Sequence, residues 1–179
     1  GARAALSALS AEFEEELETE YEDEFEEEWE EESEGMINPI RRAYPELLME
    51  HFAHIASQTE SEAEAEAFIG VLVPMAARML PQVAPAIMRA APRLIRGVTR
   101  VTRLLRSSPQ TRQLVRTLPS IVRQTARTMA RQQAAGKPVT PRGAVRTLAR
   151  QTHGVLGSPR QSLAAMRRSQ VLDRRYHRA

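Results

Sequence analysis

The chain contains no cysteine, which excludes disulfides, thiol catalysis and cysteine-ligated metal. Lysine is almost missing as well: of 25 basic residues, 24 are Arg and one is Lys137. A codon bias accounts for such a ratio, although the planar guanidinium also suits phosphate and carboxylate better than an ammonium does. Aromatic residues make up 4% of the chain, and beyond residue 66 only Phe68 and Tyr176 occur. That leaves no platform on which nucleic-acid bases could stack in series. No stretch alternates with β-branched residues, so strands are not expected. There is no G-x-S-x-G, phosphate-binding loop or dinucleotide fingerprint, and no zinc-finger, homeodomain or RNP-like signature. The strangest scarcity is of acid. After residue 66, Asp173 is the only carboxylate side chain.

The formal net charge of +2 therefore hides a division. Residues 1–66 carry 22 acids against Arg3, Arg41 and Arg42, a net of −19, while residues 67–179 carry 22 bases against Asp173, a net of +21. Such a split points to contact with a polyanion or a membrane surface by one half and neutralisation by the other.

Most of the acid lies in EFEEELETEYEDEFEEEWEEESE, residues 12–34, with Glu at every even position and 16 acids among 23 residues. Phe13, Leu17, Tyr21, Phe25 and Trp29 recur within it at intervals of four. On a helix this spacing gives a stripe that drifts by about 40° per step; on a strand the stripe does not drift. Glu favours the helix over the strand, but such dense negative charge opposes either form without a cationic partner. The free segment is expected to be disordered and to order on binding. One reading is a solvating tail. The other is a polyanion that also grips, with the five large apolar side chains as anchors. A tail that only solubilises does not need Trp29 or Phe25, and the nearest suitable surface is the chain's own basic half. The D-x-D-x-D-G spacing of a calcium loop is absent.

Three regions follow: an acidic-aromatic segment at 1–35, a helical transition or linker at 36–66, and an Arg-rich helical domain at 67–179. In YPELLMEHFAHIASQ, residues 44–58, Leu47, Leu48, His51, Phe52 and Ile55 recur at helical spacing. Further on, Ser108-Pro109, Thr140-Pro141 and Ser158-Pro159 each place a capping hydroxyl before a proline suited to a first helical turn. Pro119 restarts or kinks a further helix, and Gly136 and Gly157 mark helix ends. Pro74, Pro81, Pro85 and Pro92 break residues 67–106 into more than one helix. The fold class is all-α: a small, proline-punctuated helical bundle behind a disordered or conditionally ordered acidic segment. Residues 67–88, AFIGVLVPMAARMLPQVAPAIM, hold one charge, Arg78, and are long enough to span a bilayer. Three prolines, Gln82 and the central Arg favour a broken core helix, with an interfacial membrane segment as the alternative.

Residues 88–106 carry two interleaved rows. Met88, Ala91, Ile95, Val98, Thr102 and Leu105 form an apolar seam, and Arg89, Arg93, Arg96, Arg100, Arg103 and Arg106 form a ladder beside it. Shorter ladders with a spacing of four occur at Arg123, Arg127 and Arg131, and at Arg142, Arg146 and Arg150. A helical surface ordinarily mixes Glu with its Lys and Arg. One without acid repels itself unless an anion covers it, so these residues are the expected polyanion-binding set. The partners to expect are an anionic macromolecule, the acidic segment of the same or another copy, nucleic acid read without sequence preference, or an anionic membrane. Acid-to-base contacts between copies would also produce a homo-oligomer.

His51 and His54 stand three apart, a spacing able to bind zinc on a helix. No further ligand cluster accompanies them, and His153 and His177 are isolated, so no metal or cofactor and no enzymatic activity is expected. The N-terminus GARAALSALSAE lacks the apolar core of a signal peptide and begins with Gly, as a processed chain would.

The acidic-aromatic tract followed by NPIRRAYPELLMEHFAHIASQTESEAEAEAFIGVLVPMAARMLP resembles a group of uncharacterised bacterial proteins from gene neighbourhoods of extracellular contractile injection systems. The resemblance covers most of the chain, implies a packaged or secreted protein and assigns no active residue. The combined expectation is a non-enzymatic, charge-polarised interaction protein whose Arg-rich helices bind an anionic partner and whose acidic segment covers that surface. A self-assembling structural protein and a membrane-active cargo with an acidic propiece are the alternatives.

Overall fold

Proline marks the start of the long helices in residues 45–178, the span that the computed structural model describes. Helix α1 runs Pro45–Gln58, α2 Glu62–Gly70, α3 Leu72–Met79 and α4 Ala84–Arg106. A 3₁₀ segment at Arg112–Thr117 leads into α5, Leu118–Ala134, and α6 (Pro141–Leu156) and α7 (Pro159–Arg178) complete the order. The fold is all-α, with no strand among the described residues. The anchors Phe13, Leu17, Tyr21, Phe25 and Trp29 lie outside those residues.

Capping chemistry explains several of the boundaries. Thr140 accepts a hydrogen bond from the Gly143 amide at 3.0 Å with Pro141 at the first helical position, and Ser158 accepts from the Gln161 amide at 3.3 Å. Ser61 accepts from the Glu64 amide at 3.2 Å, so the alternating Glu run at 60–66 starts a helix. Gly136, at φ 76°, closes α5 with the Lys137 amide bonded to the Gln132 carbonyl at 2.9 Å. Ser108-Pro109 departs from expectation. No helix starts there, because the Ser108 hydroxyl turns to the Gln110 side chain and the chain passes through a turn into the 3₁₀ segment.

Of the four prolines expected to break 67–106, Pro81 sits in the turn before α4, while Pro74 and Pro85 fall in first turns, where no amide is missed. Pro92 is different. It lies on the exposed side of α4 and costs one backbone hydrogen bond without ending the helix.

Helices α4, α5 and α6 pack against one another, and α1 packs against α7 and the 3₁₀ segment, joining the two ends of the described chain. The transition region is part of this body: Met49, Ala53 and Ala56 of α1, with Ala65 and Ile69 of α2, belong to the same core as Ile121 and Leu148. Residues 67–88 are consumed there too, with Ile69, Leu72, Val73 and Ile87 buried. No helix of the described residues is long and apolar enough to cross a membrane. The apolar seam of α4 is wider than its sequence suggests. Ile87, Ala90 and Leu94 join Ala91, Val98, Thr102 and Leu105 inside, Ile95 is half-buried, and Met88 faces out at 51% exposure. The helix is packed on two sides, by α2 and α3 and by α6, so a single narrow row cannot describe its buried surface.

Candidate functional site

Arg89, Arg93, Arg96, Arg100 and Arg103 are exposed along α4, Arg127 and Arg131 along α5, and Arg142, Arg146 and Arg150 along α6. Helices α4 and α6 are direct neighbours, so two packed helices each carry a row of guanidinium groups in solvent. Ten of the twelve arginines expected to bind an anion are therefore accessible.

The other two are not, and this corrects the expectation for them. Arg106 has a fully buried side chain. Its guanidinium donates to the Ala56 carbonyl at 2.5 Å, the Thr59 carbonyl at 2.6 Å and the Glu62 carboxylate at 3.1 Å. Arg112 joins it, donating to the carbonyls of Ser57 at 3.1 Å and Thr59 at 2.6 Å. Two arginines thus satisfy the carbonyls left open at the end of α1, where the helix dipole also favours positive charge. Arg123 is drawn into a second internal group described below.

The acid that meets the ladder comes from α2. Glu66 accepts from Arg103 through Nε at 2.9 Å and Nη2 at 2.6 Å, and Glu62 accepts from Arg106. The hydrogen bond from Arg106 holds the Glu62 carboxyl below its ordinary range. A short alternating-Glu run of the same chain thereby occupies the end of the α4 ladder.

Between α1 and α7 lies a polar seam. Glu50 is fully buried and accepts from Arg168 at 2.5 Å, while Glu46 takes Arg168 at 3.1 Å and Arg123 at 3.7 Å. Burial pushes the Glu50 carboxyl upward against the opposing pull of Arg168 and Arg123. Burial, together with the neighbouring Arg168, lowers Arg123 to about 10. Charges placed in an interior of low polarity must be paired in this way or remain costly.

The seam continues to the end of α7. Asp173 Oδ1 lies 3.1 Å from His51 Nδ1 and 3.6 Å from His177 Nε2, and its other oxygen is 3.8 Å from Arg116. Arg116 also donates to the Ser169 hydroxyl at 3.2 Å. Burial lowers the Arg116 guanidinium below its ordinary value, with Asp173 acting against that shift. The His51 ring stacks on Tyr176 with centroids 4.3 Å apart. His54, one turn further along α1, has a buried Nδ1 without a hydrogen-bond partner among the described residues. Burial and then Arg116 press its pKa below the ordinary 6.5.

His177 looked isolated in the sequence because 126 positions separate it from His51; the packing of α7 on α1 brings the two rings to 5.2 Å. One signal was available. The only acid after residue 66 stands four positions before a histidine, and that pair shares a helix face.

No family model, curated protein or solved structure matches this chain.

Proposed function

We infer that this is a non-enzymatic polyanion-binding protein whose exposed arginine rows on α4 and α6 take an anionic macromolecule, and whose acidic-aromatic segment at 1–35 covers that surface in the unbound chain. The supporting observation is the pairing of Glu66 with Arg103 at the end of the α4 row. There an alternating-Glu run of this chain already neutralises one rung, while Arg89, Arg93, Arg96 and Arg100 continue the row in solvent. The longer run at 12–34 repeats the same chemistry with more acid and with large apolar residues added. Exposed ion pairs contribute roughly 0–1 kcal/mol each and weaken with salt. A dozen of them would make a cover that a denser polyanion displaces. Without a series of aromatic side chains beside the arginines, the bound polymer is read by charge and not by base sequence.

The test compares the full chain with one starting at Met36, by light scattering after size-exclusion chromatography and by binding to double-stranded DNA of arbitrary sequence, at low and high salt. The expected result is a compact full-length monomer and a truncated chain that binds at least about tenfold more tightly at low salt, with the advantage fading as salt rises. Equal binding by both chains would remove the cover from the proposal. Large, salt-sensitive assemblies of the full chain, abolished by truncation, would instead make the segment a connector between copies.

A further inference from the structure

We propose that His51, Asp173 and His177 form a binding site for a divalent transition-metal ion of the zinc type, which staples the first described helix to the last. Each of the three residues offers a ligand atom within 4.8 Å of the other two, and Asp173 Oδ1 faces His51 Nδ1 and His177 Nε2. Zinc held at about 2.0–2.2 Å by nitrogen and oxygen in a tetrahedron keeps its ligands roughly 3.3–3.5 Å apart. The two distances to Asp173, 3.1 and 3.6 Å, lie on either side of that separation. The two imidazole nitrogens are held only within 4.8 Å of each other, so the exposed His177 ring, near the end of α7, must swing inward by up to about 1 Å to close a tetrahedral set.

The ligand set selects the metal. Two imidazoles and one carboxylate suit zinc, cobalt, nickel or copper. Calcium and magnesium require several oxygens, and Asp173 is the one carboxylate in this cluster. The nearby Arg116 adds positive charge, which further disfavours a hard cation bound mainly by attraction.

The surroundings orient the ligands as an outer shell would. Arg116 stands against the second oxygen of Asp173 and is itself bonded to Ser169, while Tyr176 stacks on His51 and fixes its ring plane. Access is also built in, because the side chains of Asp173 and His51 are 11% and 19% exposed and that of His177 is 60% exposed. The ion would enter from the His177 side and keep one position open to water or to a group from outside. His54, whose buried Nδ1 has no hydrogen-bond partner among the described residues, lies on the same side of α1 one turn away. Because α1 and α7 meet only through tertiary packing, an ion held by both stabilises the closed bundle by mass action.

Cobalt serves as the probe, since nitrogen ligation in a tetrahedral site gives strong visible absorption that carboxylate-only binding by the acidic tract does not. The metal-stripped full chain is titrated with Co²⁺, alongside His177→Ala, Asp173→Asn and a control at the distant His153, His153→Ala. The expected result is one tetrahedral cobalt per chain, at least about tenfold weaker binding in both site variants, and no change in the control. Zinc in excess is expected to raise the melting temperature of the wild type and to lose that effect in His177→Ala. The mostly exposed His177 side chain makes that variant the one that keeps the fold. The proposal is overturned by weak, octahedral-type spectra in the wild type, or by binding in His177→Ala equal to that of the wild type.

Discussion

Arg168 and Glu50, 118 positions apart, meet at 2.5 Å inside the interface between α7 and α1. Neither side chain reaches much solvent, at 6% and 0% exposure, so each depends on the other to offset the cost of leaving water. Removing Arg168 takes from Glu50 its closest counter-charge, whereas removing Glu50 leaves Arg168 its contact with Glu46 at 3.1 Å. Arg168→Ala is expected to cost about 3–5 kcal/mol in urea unfolding, and Glu50→Ala less, because Glu46 still faces Arg168. Replacing both with apolar residues of similar volume should cost much less than the two single losses combined, because no buried charge is left behind. Additive losses would show that the pair is not coupled.

Two arginines on one helix are expected to separate cleanly by role. Arg106 is buried and bonded to the carbonyls of Ala56 and Thr59, whereas Arg100 is exposed. Arg106→Ala should destabilise the bundle by about 3 kcal/mol or more, since it leaves the Ala56 carbonyl and Glu62 without their donor and the Thr59 carbonyl with Arg112 alone. Arg106→Lys should recover little, because an ammonium cannot reproduce the planar fork. Arg100→Ala should stay within about 0.5 kcal/mol of the wild type. It should nevertheless weaken DNA binding and lower the slope of log affinity against log salt by about one. The paired measurements are thermal or urea unfolding and binding at several salt concentrations.

This division marks what was legible in the sequence. The all-α class, the caps at Thr140 and Ser158 and the exposed rows on α4 and α6 follow from local pattern, because propensity, proline placement and helical period act over a few residues. The fate of Arg106 and Arg123 does not. Both continue rows whose other members are exposed, and only the arrival of the α1 terminus at one and of Glu46 at the other takes them out of solvent. The internal seam was hidden for the same reason. Glu50, Arg168, His51 and Asp173 become a group only when the two ends of the described chain pack together, and no local period encodes that meeting. The burial of Met49 and Glu50 shows the point within a single helix. α1 is covered from several directions, so its inner surface does not coincide with the row of Leu48, Phe52 and Ile55.

Acid should loosen the junction of α2 with α4. The hydrogen bond from Arg106 holds the folded-state pKa of Glu62 below its ordinary 4.5, so between that lowered value and 4.5 the unfolded chain binds more protons. Stability from this pair is complete above 4.5 and is lost as pH falls through the folded value. The contribution is small, because the Glu62 side chain is 57% exposed and screened by water. Glu62→Gln should therefore be slightly less stable than the wild type at neutral pH and should converge on it in acid. Urea midpoints measured from about pH 6 down to about pH 3 give the comparison; a gap that stays constant across that range would show that Glu62 acts through packing and not through charge.

The contact between the two arginine-bearing helices should be sensitive to one glycine. A Cβ placed on Gly97 of α4 would lie 2.7 Å from Leu148 Cδ2 of α6, closer than carbon atoms approach without something moving. Leu148 is buried at 5% exposure but lines a small internal cavity with Val98, Val122 and Met129, so its methyl group has limited room to yield. A methyl group there gains up to about 1 kcal/mol of helix propensity over glycine, which the forced shift of Leu148 opposes, so Gly97→Ala should be close to neutral. Gly97→Val adds a branched side chain to the same contact and should cost about 1–3 kcal/mol through overpacking. Leu148→Ala alone opens a cavity worth about 2–5 kcal/mol, but in the Gly97→Val background the valine partly fills it. The double variant should therefore be more stable than the sum of the two single losses implies, and a urea-unfolding double-mutant cycle measures the difference. If the losses simply add, Gly97 does not set the approach of α4 to α6, and the spacing between their exposed arginine rows depends on other contacts.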